Sequence, residues 1–205
     1  MKPSQIIILI VVVVVLGTIL YTVYGSKDQT SYIAEVKKER EEKDQWMRSA
    51  AESPFAANKD SFTGLKYFPP DLKFKITASL TPITQKKPVI LATNDGKEER
   101  YLEYAYAEFD FGGFHNKLLI LEMMDMGPTR GKLFLAFGDA TSAADTYGAG
   151  RYLDVAKTPG ANTITLDFNK AYNPYCAYSE KFSCPLPPQE NLLTIPIQAG
   201  EKTYH

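Results

Sequence analysis

Histidine is almost absent from this 205-residue chain: His115 and the terminal His205 are the only two. A histidine-rich metal centre is therefore excluded. Any Ser-His-Asp or Cys-His arrangement would have to use His115, which follows a Gly112-Gly113 turn and reads as a polar hairpin residue. Cysteine is as scarce. Cys176 and Cys184 lack the two further ligands of a closed zinc site, and no Cys-x-x-Cys knuckle is present. A Met123-Met124-Asp125-Met126 cluster could suit a soft copper ion, but Met123 and Met124 point to opposite faces of a strand. Charge of one sign is missing too. The 23 Lys and Arg and 24 Asp and Glu leave a net charge of −1, with no basic stripe to neutralise phosphates. Nucleic acid is a poor partner for such a chain. Nothing resembles a nucleophile elbow or a phosphate-binding glycine loop, so no enzyme class can be assigned and no cofactor or metal is expected.

Long apolar runs are missing everywhere except at one place. Ile6 to Tyr24 carries no charge, and a stretch of about 20 apolar residues can cross a hydrocarbon core of roughly 30 Å as a helix. The run is longer than a secretory h-region and no small-x-small cleavage site follows it, which favours a retained signal-anchor over a cleaved signal. Residues 1–26 are thus expected to be a membrane anchor. Orientation is read from its flanks. A literal count of Lys27, Lys37, Lys38, Arg40 and Lys43 would hold the body in the cytoplasm. However, only Lys27 lies near the membrane edge, and the short tail with Lys2 resembles an n-region. The expected body is extracytoplasmic, periplasmic or at the cell surface.

Residues 27–53 form a charged juxtamembrane helix. Its first half is too polar for a core helix, its second half around Trp46 and Met47 is expected to dock on the body, and Ser53-Pro54 ends it. Residues 54–205 then change to period two. Alternation marks strands over 71–78, 88–93, 100–111, 117–123, 132–137, 151–156, 163–168 and 193–198, separated by Asn94-Asp95-Gly96, Gly112-Gly113 and Gly127-Pro128. About eight strands with short turns predict a mainly β domain (α+β by element count), as an antiparallel β-sandwich or barrel.

Two local features invite chemistry. Cys176 and Cys184 could form a disulfide in an oxidising compartment, with buried thiols or a metal or redox role as the alternatives. The second feature is a polar block around tyrosines: Arg151, Tyr152, Asp154, Asp167, Asn169, Asn173, Glu190, Asn191 and Glu201. Arginine with carboxylates and amides could bind a small polar ligand, or could satisfy the backbone of the long 173–191 loop.

The runs Asp145-Thr146-Tyr147-Gly148-Ala149-Gly150-Arg151-Tyr152-Leu153-Asp154, Leu166-Asp167-Phe168-Asn169-Lys170-Ala171-Tyr172-Asn173-Pro174 and Cys184-Pro185-Leu186-Pro187-Pro188-Gln189-Glu190-Asn191, with Ala199-Gly200-Glu201-Lys202-Thr203-Tyr204, resemble the bacterial domain-of-unknown-function family 1684. The resemblance implies no activity. The expectation is a membrane-anchored binding or accessory module of the envelope, held by residues 6–24, whose partner is a small polar ligand or an envelope protein. The alternatives are a hydrolase using Asp154, Asp167 or Glu190, and a purely structural envelope protein.

Overall fold

The computed structural model describes residues 3–124 and 127–204. It divides into two compact units, Met1–Arg40 and Glu41–His205. One helix, α1, has the bounds Pro3–Ser49. The apolar run 6–24 lies largely on residues whose side chains fall outside the described set, and among the described residues no helix is long and apolar enough to cross a membrane. Within the second unit, the end of α1 packs on the body. Met47 is buried with Phe55, Phe62 and Tyr204, and Trp46 stacks on Tyr175 with ring centroids 6.1 Å apart. Ser53 secures the helix end, its hydroxyl donating to Met47 O and accepting from Phe55 N.

Seven strands follow: β1 Lys75–Pro82, β2 Pro88–Ala92, β3 Glu98–Phe111, β4 Phe114–Met123, β5 Leu133–Phe137, β6 Arg151–Val155 and β7 Thr163–Asp167. They form one antiparallel sheet in the order β6-β5-β4-β3-β1-β7, with β2 on the first half of β3. The β3–β4 hairpin turns through Gly112 and Gly113, both at positive φ, as a two-residue turn matched to strand twist requires.

The sheet curls into a half-barrel, so β6 and β7 come near each other. Alternation sorts its side chains onto two faces. Leu118, Ile120, Leu133, Leu135, Phe137, Leu153 and Leu166 fill the concave side, whereas Leu119, Leu121, Phe134, Ala136 and Tyr152 line the outer side. Strand β3 changes parity on the way. Tyr101 joins the outer cluster while Phe109, also odd-numbered, joins the inner one. The cause is a register irregularity between Glu103 and Ala105 in the pairing with β4, since one inserted residue flips every later side chain.

The expected sandwich or barrel of eight strands is corrected to this single curled sheet of seven. Residues 193–198, expected as the eighth strand, form no ladder and bend at Thr194 and Ile195. Ile195, Ile197 and Ala199 instead plug the concave face. Pro196 has no N–H to give a ladder, and the neighbouring backbone groups are satisfied by side chains described below.

Gly200 closes that plug onto the 168–171 turn. Its φ is +74°, and a Cβ there would lie 2.6 Å from Ala171 O and 2.7 Å from Phe168 O. Gly200→Ala is expected to destabilise by at least about 1–3 kcal/mol through the left-handed backbone alone. The midpoint of urea unfolding should fall at unchanged slope. An unchanged midpoint would refute the close approach.

Candidate functional site

Arg151 opens β6 and points to the concave side, 1% exposed. Its Nη2 donates to Asp139 Oδ2 at 2.7 Å and to Ile197 O at 2.9 Å. Its Nη1 donates to Ala199 O and to Glu201 O. Asp139 uses its other oxygen to accept from Thr141 N, Thr141 Oγ1 and Ile197 N. Burial lowers the Arg151 pKa, and the adjacent Asp139 carboxylate opposes that shift. The ion pair therefore serves as a surrogate strand, taking the backbone groups of 197–201 that a ladder would have taken. Asp139 was absent from the sequence candidates. Its only signal was the Asp139-Ala140-Thr141 step, a side-chain-to-backbone turn pattern.

The three asparagines are also structural. Asn191, fully buried, sits where β4 and β5 splay apart beyond the Leu121↔Phe134 pair. Its Oδ1 accepts from Leu119 N at 2.7 Å, and its Nδ2 donates to Leu119 O at 2.9 Å and Ala136 O at 2.8 Å. Asn169 clamps the Asp71 backbone from both sides, accepting from its N–H and donating to its carbonyl, while Asp167 accepts from Asn169 N. Asn173 donates to Glu201 and to Lys202 O, and its buried Oδ1 has no partner among the described residues. Glu201, also fully buried, receives Lys43 Nζ at 3.1 Å and the Tyr178 hydroxyl. Burial first, then the Glu201 charge, pushes the Tyr178 pKa up, so the phenol remains a donor.

The remaining candidates stand apart. Asp154 is exposed and accepts from the Tyr172 hydroxyl at 2.8 Å, and exposed Glu190 accepts from Tyr106 at 3.2 Å. Asp154, Asp167 and Glu190 each have a separate partner, so they form no facing carboxyl pair. Tyr152, on the face opposite Arg151, donates to Pro185 O at 2.6 Å.

Tyr152 belongs to a different place. On the outer face of the sheet, under the 172–185 loop, lies a cleft of about 300 Å³. Tyr101, Phe134, Tyr152, Tyr172, Tyr175 and Phe182 wall it, and Glu99 is its one charged lining residue. The rings are mutually braced. Tyr101 stacks on Phe134 at 5.4 Å, Phe134 meets Tyr152 edge-on at 4.7 Å, and Tyr175 meets Phe182 edge-on at 5.2 Å. The Tyr101 hydroxyl donates to Glu99 and the Tyr172 hydroxyl to Asp154. Burial raises the pKa of both Tyr152 and Tyr172, so their hydroxyls stay protonated. A larger cleft of about 410 Å³ lies beside Asp139, walled largely by Gly138, Gly148, Gly150, Pro187 and Leu192. Arg151 does not line it.

Cys176 and Cys184, expected to form a disulfide as one reading, are two thiols in this structure. Cys184 is buried and lines the aromatic cleft, while Cys176 is half-buried. Among the described residues no group of three or more His, Cys, Asp or Glu could hold a metal ion.

Fold and site together define a mainly β, half-barrel protein with a polar network inside and an aromatic cleft outside. The chain belongs to the family described as Protein of unknown function (DUF1684), whose model matches residues 60–202. It is similar to the solution NMR structure of an uncharacterised protein of Haloarcula marismortui, at 35% identity and a TM-score of 0.66 over 87% of this chain and 99% of that one. No curated protein matches the chain.

Proposed function

We propose that this protein is a membrane-anchored binding module whose ligand occupies the aromatic cleft rather than the polar motifs. The carrying observation is the braced aromatic wall, with Glu99 at its edge. Six ring faces and edges around one carboxylate suit a small organic cation, because a ring quadrupole attracts positive charge at its face. The polar block supports this reading indirectly: its buried members hold the backbone, and the larger cleft beside Asp139 has no aromatic wall. The anchor rests on the uncharged run 6–24, and the extracytoplasmic body on the short Lys2 tail.

Trp46 is the only tryptophan and stacks on Tyr175, a cleft residue, so its fluorescence reports occupancy. Titration with choline is expected to give a saturable change, and its neutral isostere 3,3-dimethylbutanol should bind on the order of tenfold more weakly, for a cation–aromatic gain of about 0.5–2 kcal/mol. Phe182→Ala should abolish the response. Equal affinity for both compounds would make the cleft merely apolar. No response to either would favour a structural envelope protein.

The anchor has its own test. Membranes from cells making the full chain should retain it through an alkaline wash, and protease added from outside should reach the body. Release by the wash would sink the anchor, and protection from protease would reverse the orientation.

A further inference from the structure

The 172–185 loop carries a second device beside the cleft. Cys184 Sγ accepts the Cys176 backbone N–H at 3.3 Å, which sets the two cysteines side by side. The Tyr147 hydroxyl points at the same Cys176 sulfur from 3.7 Å. The Cys176 sulfur thus has a phenol donor and is the more accessible of the two, while the Cys184 sulfur is buried beside it. We propose that Cys176 is a nucleophilic thiolate, with Cys184 as its resolving thiol, and that the pair is a reversible modification site for peroxides.

The chemistry balances without further components. The Cys176 thiolate attacks one oxygen of a hydroperoxide, the O–O bond breaks, and the alkoxide or hydroxide leaves as alcohol or water after taking a proton. Cys176 becomes a sulfenic acid. The Cys184 sulfur then attacks the Cys176 sulfur, the S–O bond breaks, and hydroxide departs with the Cys184 proton as water. Two thiols are oxidised to one disulfide, and the peroxide is reduced. This goes beyond ligand binding and does not depend on it.

Donors and burial shape the pair. The Cys184 hydrogen bond, more than any other interaction, lowers the Cys176 pKa to about 7, with Tyr147 assisting, while the same bond and burial raise that of Cys184. Burial and the Cys176 sulfur push Tyr147 up to about 12, which keeps its hydroxyl a donor. Tyr147 is a positioning residue here: it acts through the sulfur.

The test uses the reduced full chain. Iodoacetamide alkylation followed by peptide mass spectrometry should modify Cys176 at least about tenfold faster than Cys184, because the thiolate is the reactive form. The Cys176 rate should rise with a midpoint near pH 7. Tyr147→Phe should move that midpoint upward. One equivalent of hydrogen peroxide should give the internal disulfide, reversible by dithiothreitol, and Cys184→Ala should leave a sulfenic acid on Cys176 that dimedone captures. If the alanine variant does not fold, the wild-type pH profile and peroxide product decide alone. Preferential alkylation of Cys184, an ordinary thiol midpoint, two thiols surviving peroxide, or a disulfide that dithiothreitol cannot open would each overturn the proposal.

Discussion

Arg151→Ala should lower the melting temperature by about 6–20 °C, a loss of about 3–5 kcal/mol at roughly 2–4 °C per kcal/mol for a domain of this size. The expectation follows from what the guanidinium leaves behind. Both partners of the Arg151–Asp139 pair are 1% exposed at the side chain. Without the arginine, the Asp139 carboxylate stays buried without its cation, and the carbonyls of Ile197, Ala199 and Glu201 lose their donor. Arg151→Lys should recover only part of the loss, because an ammonium cannot reproduce a planar fork that reaches four oxygens. Calorimetry of both variants beside wild type checks the order. A melting temperature within a degree of wild type for the alanine variant would mean that the network does not hold the C-terminal segment.

A comparable loss is expected at Asn191, for a reason that contains no charge. Its amide makes three hydrogen bonds with the backbones of β4 and β5, where the two strands no longer pair. Asn191→Leu leaves one N–H and two carbonyls buried and unsatisfied, at about 1–3 kcal/mol each and about 3–9 kcal/mol together. Asn191→Asp tests the chemistry more sharply. The shape is kept and Leu119 N still has an acceptor, but the two donated bonds become contacts between oxygens. The aspartate variant should therefore be no more stable than the leucine variant in urea unfolding near neutral pH. If aspartate were instead well tolerated, the amide would not be the bridge between the strands.

Strands β1, β2 and β3 were readable in the sequence because one face of each is wetter than the other, whereas β5 is buried on both. Arg100 to Phe111 alternates so plainly that its length and turn could be placed within a few residues. What alternation cannot reveal is a parity change. Tyr101 and Phe109 look equivalent by spacing, and only the irregularity at Glu103/Ala105 sends them to opposite faces. The 193–198 segment misled for a related reason. Its apolar spacing is that of a strand, but the chain bends at Thr194 and Ile195. Whether such a segment joins a ladder depends on where its backbone bonds go, and here those of Ile197 go to Arg151 and Asp139, 46 and 58 residues away.

The polar residues were readable as important but not as members of any one site. Arg151, Asn169, Asn173 and Asn191 were singled out as polar residues at strand ends and turns of one motif block, and all four are buried. A residue that satisfies backbone from a distance and one that meets a ligand leave the same trace in a single sequence. The aromatic cleft was harder to see still. Tyr101 and Phe134 come from strands far from the 172–185 loop in sequence, and nothing local announces that they meet.

The clasp between Lys43 and Glu201 joins groups 158 residues apart, and Asn191 reaches back 72 residues to Leu119. Hairpins such as β3–β4 can form quickly, since their loops are short, but these late contacts must wait for long loops to close. Folding should therefore pass through a stage with a paired but unplugged sheet, its concave apolar face open to water. A chain severed before Asn191 would be held at that stage, exposing Leu118, Ile120 and Leu135 and prone to self-association. The same residues that finish the native protein thus also act as its safeguard against aggregation, and their loss should appear as faster unfolding and a larger open population, with the folding rate nearly unchanged.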